Sequence, residues 1–397
     1  MLRFLTAGES HGPALTVILD GLPSGLDVPA GRIDADLKRR QGGYGRGGRM
    51  SIEKDRVRLT GGVRHGRTIG GPVAMIIENL DWPNWSTVMA IEPPGDWSGG
   101  GGAGDDALRR VRHPRPGHAD LAGALKHGTH DARDVLERAS ARETASRVAA
   151  GAVARLLMER FGCLIASHTL AVGDIEVPDG SSLPWERVSR IPEDAPMRCA
   201  DASVEREMQA EVDRARAAQD SLGGVVQVIA RGVPPGLGSC RQWDTRLEAR
   251  LGMALLSIQA VKGVEIGDGV ASSRSRGSQV HDEIHYDRQA RRFHRTTNRA
   301  GGIEGGMSNG EEIRATAYLK PLSTLPRPLG TVDLVDKTPA GASVERTDTC
   351  VVPAAGVVVE AMTALVICSA FLEKFGGDSV AECERNVRGY LQQLEAF

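Results

Sequence analysis

Residues 353–375, PAAGVVVEAMTALVICSAFLEKF, form the longest apolar stretch of the chain, and Glu360 is the only charged residue between 354 and 372. The stretch is about long enough to cross a bilayer, but its length and the central charge favour a helix buried in a protein core. Pro353 suits a first helical turn, and two glycines at 376 and 377 suit the end of a helix. The stretch therefore predicts a buried core helix.

Other segments show periodic patterns of the same kind. Apolar residues at three- and four-residue spacing predict amphipathic helices over residues 131–161, 202–218 and 245–261. Short apolar or alternating runs predict strands at 14–19, 56–59, 73–77, 164–172, 224–233 and 312–319. Because strand and helix patterns alternate, the residues alone allow an α/β or an α+β class. No internal repeat or clean linker is visible, so we predict one domain over residues 1–397.

Composition narrows the classes of function. Of the 397 residues, 41% are apolar and 25% are charged, which is typical of a globular protein. A net charge of −2 and an aromatic content of 4% argue against a nucleic-acid-binding protein. The six cysteines form no CxxC pair, and no secretory signal opens the sequence. We therefore expect a cytoplasmic protein with no membrane partner.

A basic, glycine-rich stretch at residues 38–49, KRRQGGYGRGGR, predicts a loop that receives an anion. Arg40, Arg46 and Arg49 supply planar donors that fit phosphate and carboxylate oxygens. The glycines between them let backbone N–H groups approach a ligand closely. Taken alone, the stretch is also compatible with a solvated loop or a nucleic-acid arm.

Two short segments place histidines where they could transfer protons. The sequence GESHG puts Ser10 beside His11 in a glycine turn. It matches the GxSxG pattern of serine hydrolases, but no helix pattern follows it, and a structural turn is the other alternative. Residues 112–120, RHPRPGHAD, join Arg112 and His118 to further basic groups in a proline-stiffened segment, for which a surface loop is the alternative.

Further segments carry candidate binding groups. Arg138 and Arg142 are four residues apart in a predicted helix and would share one face, as ligand contacts or as solvated charges. Residues 297–310 contain five glycines, too many for a stable helix or strand. Residues 320–324, KPLST, offer a lysine and two hydroxyls that suit a phosphate. We interpret the last two segments as a possible cofactor site, with an ordinary loop as the alternative for the glycines.

One histidine pair has a spacing found in metal sites. His281 and His285 are four residues apart, but the segment HDEIH is not HExxH, because its glutamate is misplaced. No third ligand lies at an obvious spacing. We therefore predict no metal.

Taken together, these segments resemble the chorismate synthase family. Seven stretches match in order and span nearly the whole chain: 7–12, 40–50, 115–120, 137–144, 258–269, 298–310 and 348–356. The resemblance implies an α+β fold, a β-α-β sandwich with central helices between antiparallel sheets, and a homotetramer. It implies the last step of the shikimate pathway, a 1,4-anti elimination of phosphate from 5-O-(1-carboxyvinyl)-3-phosphoshikimate that gives chorismate.

The resemblance also implies a cofactor and catalytic roles. Reduced FMN is required although the reaction has no net redox change, because the flavin lends electron density as phosphate leaves. His11 matches the histidine that protonates the departing phosphate, and His118 matches the one that stabilises anionic charge near the flavin. Ser10 and Asp348 match a proposed relay that removes a proton from the flavin.

The remaining matched positions are expected to bind ligands. Arg40 and Arg46 match residues that bind substrate, or NADP in some members, and Arg49 and Arg112 are candidates to join them. The FMN positions match Arg138, Ala139, Ser140, Gln259, Ala260, Gly305, Lys320, Pro321, Leu322, Ser323, Thr324 and Arg346.

One departure from the family pattern is visible. Residues 93–106 are unusually glycine-rich, with four consecutive glycines from Gly99, and we predict a surface insertion without an assigned role. It touches no matched motif. Two alternative functions stay open at this point: a flavin-dependent enzyme of another class, such as an NADPH:FMN reductase, and an RNA-binding protein that uses the arginine-glycine loop.

Overall fold

The computed structural model describes residues 2–47, 54–93, 109–345 and 347–397. Its strands are β1 (Arg3–Ala7), β2 (Ala14–Asp20), β3 (Val57–Gly61), β4 (Val63–Arg64), β5 (Arg67–Thr68), β6 (Val73–Glu78), β7 (Leu164–Val172), β8 (Ile175–Glu176), β9 (Gly224–Arg231), β10 (Val261–Ile266), β11 (Ile284–Asp287), β12 (Arg292–Arg295), β13 (Ile303–Glu304), β14 (Met307–Ser308), β15 (Ile313–Leu319), β16 (Gly330–Val332) and β17 (Pro339–Gly341). Its helices are α1 (Ala30–Gln41), α2 (Asp120–His127), α3 (Arg133–Ala139), α4 (Thr144–Arg160), α5 (Trp185–Val188), α6 (Ala202–Ala217), α7 (Leu247–Leu256), α8 (Gly269–Ser272), α9 (Gly277–Val280), α10 (Val352–Phe375) and α11 (Val380–Ala396). Of the predicted glycine-rich insertion at residues 93–106, the structure describes Pro93, and residues 94–106 lie outside the described residues.

Two antiparallel sheets form the outer layers. The first has the strand order β1-β2-β6-β3, and the second has the order β10-β15-β9-β7-β8. The alternating pattern of β2 buries Leu15, Val17 and Leu19 on its inner face. Ile313 and Ala315 do the same in β15, as the alternation at 312–319 predicts.

The central layer is helical. Helix α4 packs against β2 of the first sheet, α10 packs against β7 and β9 of the second, and the two helices pack against each other. Helix α10 is long and apolar enough to span a membrane, but 89% of its most apolar window is buried inside the protein. A helix that is apolar on all sides must be covered on all sides, so α10 is the predicted core helix. The arrangement confirms the α+β class and the β-α-β sandwich.

The helix predicted over residues 131–161 is wrong in one respect, because it is broken at Ser140. Helix α3 ends at Ala139, and a short 3₁₀ turn at Ala141–Glu143 precedes α4. Ser140 has extended backbone angles, and its hydroxyl accepts a hydrogen bond from Arg142 N at 3.3 Å. A serine that caps a new turn does not disturb apolar periodicity, so the pattern could not reveal the break. Arg138 and Arg142 therefore do not share a helix face.

Two other predicted boundaries also differ from the structure. The helix predicted over 245–261 ends at Leu256, and the chain turns into β10 at Val261. The predicted basic loop at 38–49 begins inside α1, which continues to Gln41. In the first case the apolar spacing continues through Ile258, beyond the end of the helix, so it overestimates the helix length. In the second case the basic segment has no apolar periodicity that would mark the last turn.

Helices α4 and α10 approach each other most closely at Gly151. A Cβ atom there would lie 2.4 Å from Ala361 Cβ, which is far inside van der Waals contact. We expect Gly151→Ala to lower the free energy of unfolding by about 1–3 kcal/mol, because the helices would have to separate.

Gly252→Ala in α7 is the matched control, because no atom lies within 4 Å of the added carbon. The control should raise the free energy of unfolding by about 0.5–1 kcal/mol through helix propensity. Denaturant unfolding measures both, and equal effects would contradict the close approach.

Candidate active site

The loop after α1 is fixed against the segment that precedes α10. Gly45, whose φ of +91° favours glycine, accepts a hydrogen bond from Thr349 N at 2.8 Å. The Asp348 carboxylate accepts a hydrogen bond from Gly47 N at 2.6 Å and pairs with Arg46 at 3.0 Å. These contacts fix the described part of the predicted anion loop, and Asp348 orients Arg46.

A cavity of about 200 Å³, which we name the arginine cavity, is lined by Arg40, Arg46 and Arg142. Arg40 and Arg142 both donate to one oxygen of the buried Asp55, at 3.0 and 2.6 Å. Burial raises the pKa of Asp55, but the two guanidinium charges outweigh burial and hold the pKa below its ordinary value. Three guanidinium groups and two carboxylates, those of Asp55 and Asp348, meet at this cavity. Their net charge is therefore positive, which favours binding of an anion.

A larger cavity of about 750 Å³ contains both candidate histidines, and we name it the histidine cavity. It adjoins the arginine cavity, since Ser140 and Gln259 line both. The fold gathers in it most of the predicted catalytic and cofactor residues: Ser10, His11, His118, Ala139, Ser140, Gln259, Ala260, Lys320, Pro321, Leu322, Ser323 and Thr324. These residues come from distant segments, so their convergence is a property of the fold.

The turn between β1 and β2 presents Ser10 and His11 to the histidine cavity. Nδ1 of the His11 ring lies 2.9 and 3.0 Å from the two carboxylate oxygens of Glu137. Ser10 is almost fully buried, and its hydroxyl accepts a hydrogen bond from Ser140 Oγ at 3.1 Å. The break between α3 and α4 therefore places Ser140 where it touches the predicted catalytic turn.

His118 has a carboxylate partner of its own. Its Nδ1 hydrogen-bonds to the fully buried Asp120, which also accepts from Arg115 Nε at 2.8 Å. Arg115 in turn donates to Thr324 Oγ1 at 2.8 Å, which ties this group to the far wall of the cavity. Burial raises the pKa of Asp120, but the bonds from His118 and Arg115 outweigh it and hold the pKa below its ordinary value.

The far wall of the histidine cavity carries polar groups that suit a cofactor. Lys320 Nζ donates to Gly117 O at 2.7 Å and to Ser323 Oγ at 3.0 Å. Gln259 donates through Nε2 to Glu143, but its buried Oε1 has no hydrogen-bond partner among the described residues. A buried oxygen without a hydrogen bond destabilises a fold, so this oxygen is suited to accept a hydrogen bond from a ligand.

Three predicted residues that the structure describes line neither cavity. Arg112 pairs with Asp333 at 2.9 Å, and Arg138 is exposed and donates to the backbone at the end of β1. Gly305 lies in the turn between β13 and β14. Arg49 and Arg346 lie outside the described residues.

Several site residues escaped prediction from the sequence. Trp85 and Arg133 line the histidine cavity, while Asp55 joins the two arginines of the arginine cavity. The sequence predicts Arg142 on a helix face, as a ligand contact or a solvated charge, and the structure buries it beside the arginine cavity. The one signal that could have found Arg142 is its place beside Ser140 in a matched stretch. A single tryptophan, arginine or aspartate has no distinguishing spacing.

The two histidines with metal-like spacing do not come together with further ligands. His281 follows α9, and His285 lies in β11 opposite His294 of β12. Within the four described ranges, no group of three or more His, Cys, Asp or Glu side chains could hold a metal ion.

Comparison with known proteins identifies the family. A family model described as chorismate synthase matches residues 2–372. The chain belongs to the chorismate synthase family. Among its relatives, the chorismate synthase of Thermobifida fusca is 54% identical over 99% of both chains, and that of Desulforudis audaxviator is 55% identical over 100% of this chain and 99% of its own. The chorismate synthase of Solibacter usitatus is 51% identical over the full length of both.

A solved structure supports the same assignment. A crystal structure of chorismate synthase superposes with a TM-score of 0.78 and 36% identity, covering 100% of this chain and 99% of that one. As a chorismate synthase, the chain is a carbon–oxygen lyase that acts on phosphates in aromatic amino-acid biosynthesis. The comparisons favour this function over the flavin reductase and the RNA-binding protein.

Proposed function

We propose that the chain eliminates phosphate from 5-O-(1-carboxyvinyl)-3-phosphoshikimate to give chorismate, and that it requires reduced FMN for this reaction. One observation carries the proposal: a cavity with two carboxylate-bonded histidines adjoins a cavity with three arginines. The first suits proton transfer beside a cofactor, and the second suits a substrate with one phosphate and two carboxylates.

We assign substrate binding to the arginine cavity. Arg40 and Arg46, which some relatives use for NADP, present guanidinium groups to it, and Asp55 and Asp348 fix them. Preformed guanidinium groups lose little further freedom when they bind an anion. Arg49 and Arg112 stay predictions from the family resemblance.

We assign the cofactor to the histidine cavity, because its size and polar groups fit FMN. Lys320, Ser323 and Thr324 offer donors for a phosphate, and the unpartnered Gln259 Oε1 offers an acceptor for a ring N–H. Bound reduced FMN would supply electron density to the substrate as the carbon–oxygen bond breaks. The remaining assignments, Ala139, Ser140, Ala260, Pro321 and Leu322, line the same cavity, whereas Arg138, Gly305 and Arg346 rest on the resemblance alone.

The protein side chains would manage the protons. His11 gives a proton to the oxygen of the departing phosphate, and His118, held by Asp120, stabilises negative charge at its end of the cavity. By the family resemblance, Ser10 and Asp348 would form a relay that removes a proton from the flavin. Ser10 and Asp348 line different cavities, and Ser140 lines both.

We further propose that the whole chain acts as one domain and assembles as a cytoplasmic homotetramer with no nucleic-acid or membrane partner. A single cluster of buried apolar residues joins both sheets and the central helices, which supports one domain. Light scattering on the purified protein would measure the assembly, and a monomer at micromolar concentration would overturn it.

The function is tested by an anaerobic assay with chemically reduced FMN and the enolpyruvyl-shikimate phosphate. Phosphate and chorismate should appear together, and only when the flavin is reduced. Oxidised FMN with NADPH would then show whether the chain also reduces its own flavin. Flavin binding without turnover would contradict the proposed substrate.

Arg46→Ala should weaken substrate binding about 10–100-fold, because one charge-assisted contact is worth about 1.5–3 kcal/mol. Binding of FMN should change much less, because Arg46 lines only the arginine cavity. Titration calorimetry with each ligand separates the two. Arg58→Ala, at an exposed arginine of β3, is the control. Equal losses for both ligands would move Arg46 to the cofactor.

A further inference from the structure

The His11 ring is held from more than one side. Glu137 accepts from Nδ1 at 2.9 Å and from the His11 backbone N at 2.8 Å. The ring also stacks on Trp85, with centroids 3.7 Å apart and planes inclined by 21°. No described residue hydrogen-bonds to Nε2, so Nε2 is the ring nitrogen left for a ligand. The His11 side chain is only 13% exposed, and it lines the histidine cavity.

Glu137 is in turn fixed by its own contacts. Its side chain is fully buried, and it accepts from Arg133 Nη1 at 3.0 Å, one turn earlier in α3. Arg133 Nη2 also pairs with Glu345 Oε1 at 2.9 Å. The backbone carbonyl of Glu137 accepts from Ser10 N at 3.0 Å, so one residue holds both members of the catalytic turn.

The charge of Glu137 decides the protonation of the nitrogen that faces it. Burial raises the pKa of Glu137, but hydrogen bonds from His11 and Arg133 outweigh burial and hold the pKa below its ordinary value. An ionised carboxylate accepts hydrogen bonds and cannot donate one. The proton of a neutral His11 ring must therefore lie on Nδ1.

We propose that Glu137 is a positioning residue for His11. It keeps a proton on Nδ1, so that the protonated ring gives its Nε2 proton to the departing phosphate and is left neutral with Nδ1 protonated, while Trp85 fixes the ring plane. The inference rests on the proposed function, because it assigns the proton transfer to His11. His118, Asp120 and Arg115 repeat the same histidine-carboxylate-arginine arrangement in the same cavity.

The first test reads the tautomer of His11 directly by NMR on isotope-labelled wild-type protein. His11 signals are assigned by their absence in His11→Gln, and the ring is observed at a pH where it is neutral. We expect the Nδ1–H tautomer, whereas the Nε2–H form predominates in free histidine. Finding Nε2–H would overturn the inference. This measurement needs neither turnover nor an altered Glu137.

The second test is Glu137→Gln, which keeps the shape of the side chain and removes its charge. We expect kcat to fall at least about tenfold while KM for the substrate stays within about twofold, because Glu137 acts on proton transfer rather than binding. Asp134→Asn is the matched control, since Asp134 is an exposed acid on the same helix. An unchanged kcat, or a rise in KM with kcat preserved, would overturn the inference. If wild-type protein forms no chorismate, the proposed function fails instead, and the tautomer still tests the geometry.

Discussion

Replacing His11 with alanine is expected to lower turnover by about 10²–10⁴-fold while the protein stays folded and still binds substrate. General acid catalysis by a positioned side chain contributes a factor of this size. His11 lies in the turn between β1 and β2, and neither it nor Trp85, on which its ring stacks, belongs to the main core cluster. In the proposed assignment the substrate binds in the arginine cavity, whose lining does not include His11. Steady-state kinetics with reduced FMN, together with calorimetric titration of the substrate, measures both parts.

A surface histidine provides the control for this experiment. His127, at the end of α2, is exposed, and His127→Ala should leave kcat within about twofold of wild type. Circular dichroism of His11→Ala should match that of wild type. Loss of folding, or loss of substrate binding equal to the loss of turnover, would remove His11 from the catalytic step.

Glu360→Ala is expected to produce the largest loss of stability, about 3–5 kcal/mol. Glu360 lies in α10 with a fully buried side chain, and it accepts hydrogen bonds from Arg39 at 2.8 Å and from Arg198 at 2.9 Å. Arg155 lies 3.3 Å away and Ser167 donates at 2.7 Å. Removing this carboxylate takes away the acceptor common to the three arginines. Arg39 and Arg155 keep Asp36, but the buried Arg198 loses the carboxylate that pairs with it, and breaking a buried pair in this way is strongly destabilising. Denaturant unfolding measures the difference.

The same residue gives a pH dependence whose sign can be stated. Burial raises the pKa of Glu360, but the charges of Arg39, Arg198 and Arg155 outweigh burial and lower the pKa to about 2. Because the pKa is lower in the folded state than in the unfolded chain, ionised Glu360 stabilises the fold above about pH 4.5. The contribution is lost as the pH falls from about 4.5 to about 2.

Acid titration of the unfolding free energy should show this contribution in wild type and not in Glu360→Ala. Glu373→Ala is the control, because Glu373 is an exposed acid in the last turn of the same helix. A parallel decline of all three proteins between pH 4.5 and 2 would show that Glu360 does not carry the effect.

The sequence predicts the core helix and six of the nine strands in the two main sheets, because their apolar patterns are distinct and their ends carry clear signals. Glycine at 376 and 377 marked the end of α10, and alternation marked β15. The break at Ser140 could not be predicted, because its cause is a local cap and a contact with Ser10 that lies 130 residues away. The apolar periodicity of a helix carries no information about which distant segment of the chain contacts it.

The sequence predicts some residues of the candidate site and not others. Ser10, His11 and His118 were found through short motifs and a family resemblance, and the fold brings them into one cavity. Trp85 and Arg133 were not found, since each acts through a side-chain contact made only after folding. Asp55 was missed for the same reason: an aspartate that orients two arginines resembles any other aspartate in a sequence.

The contact between Glu137 and His11 joins residues 126 positions apart, and Asp348 reaches Gly47 across 301. A growing polypeptide therefore holds no finished site until residue 348 has been made and folded against residue 47. Contacts of such long range form slowly, because the intervening chain must first be ordered. We therefore expect a chain that stops before residue 348 to lack the finished site and to be inactive.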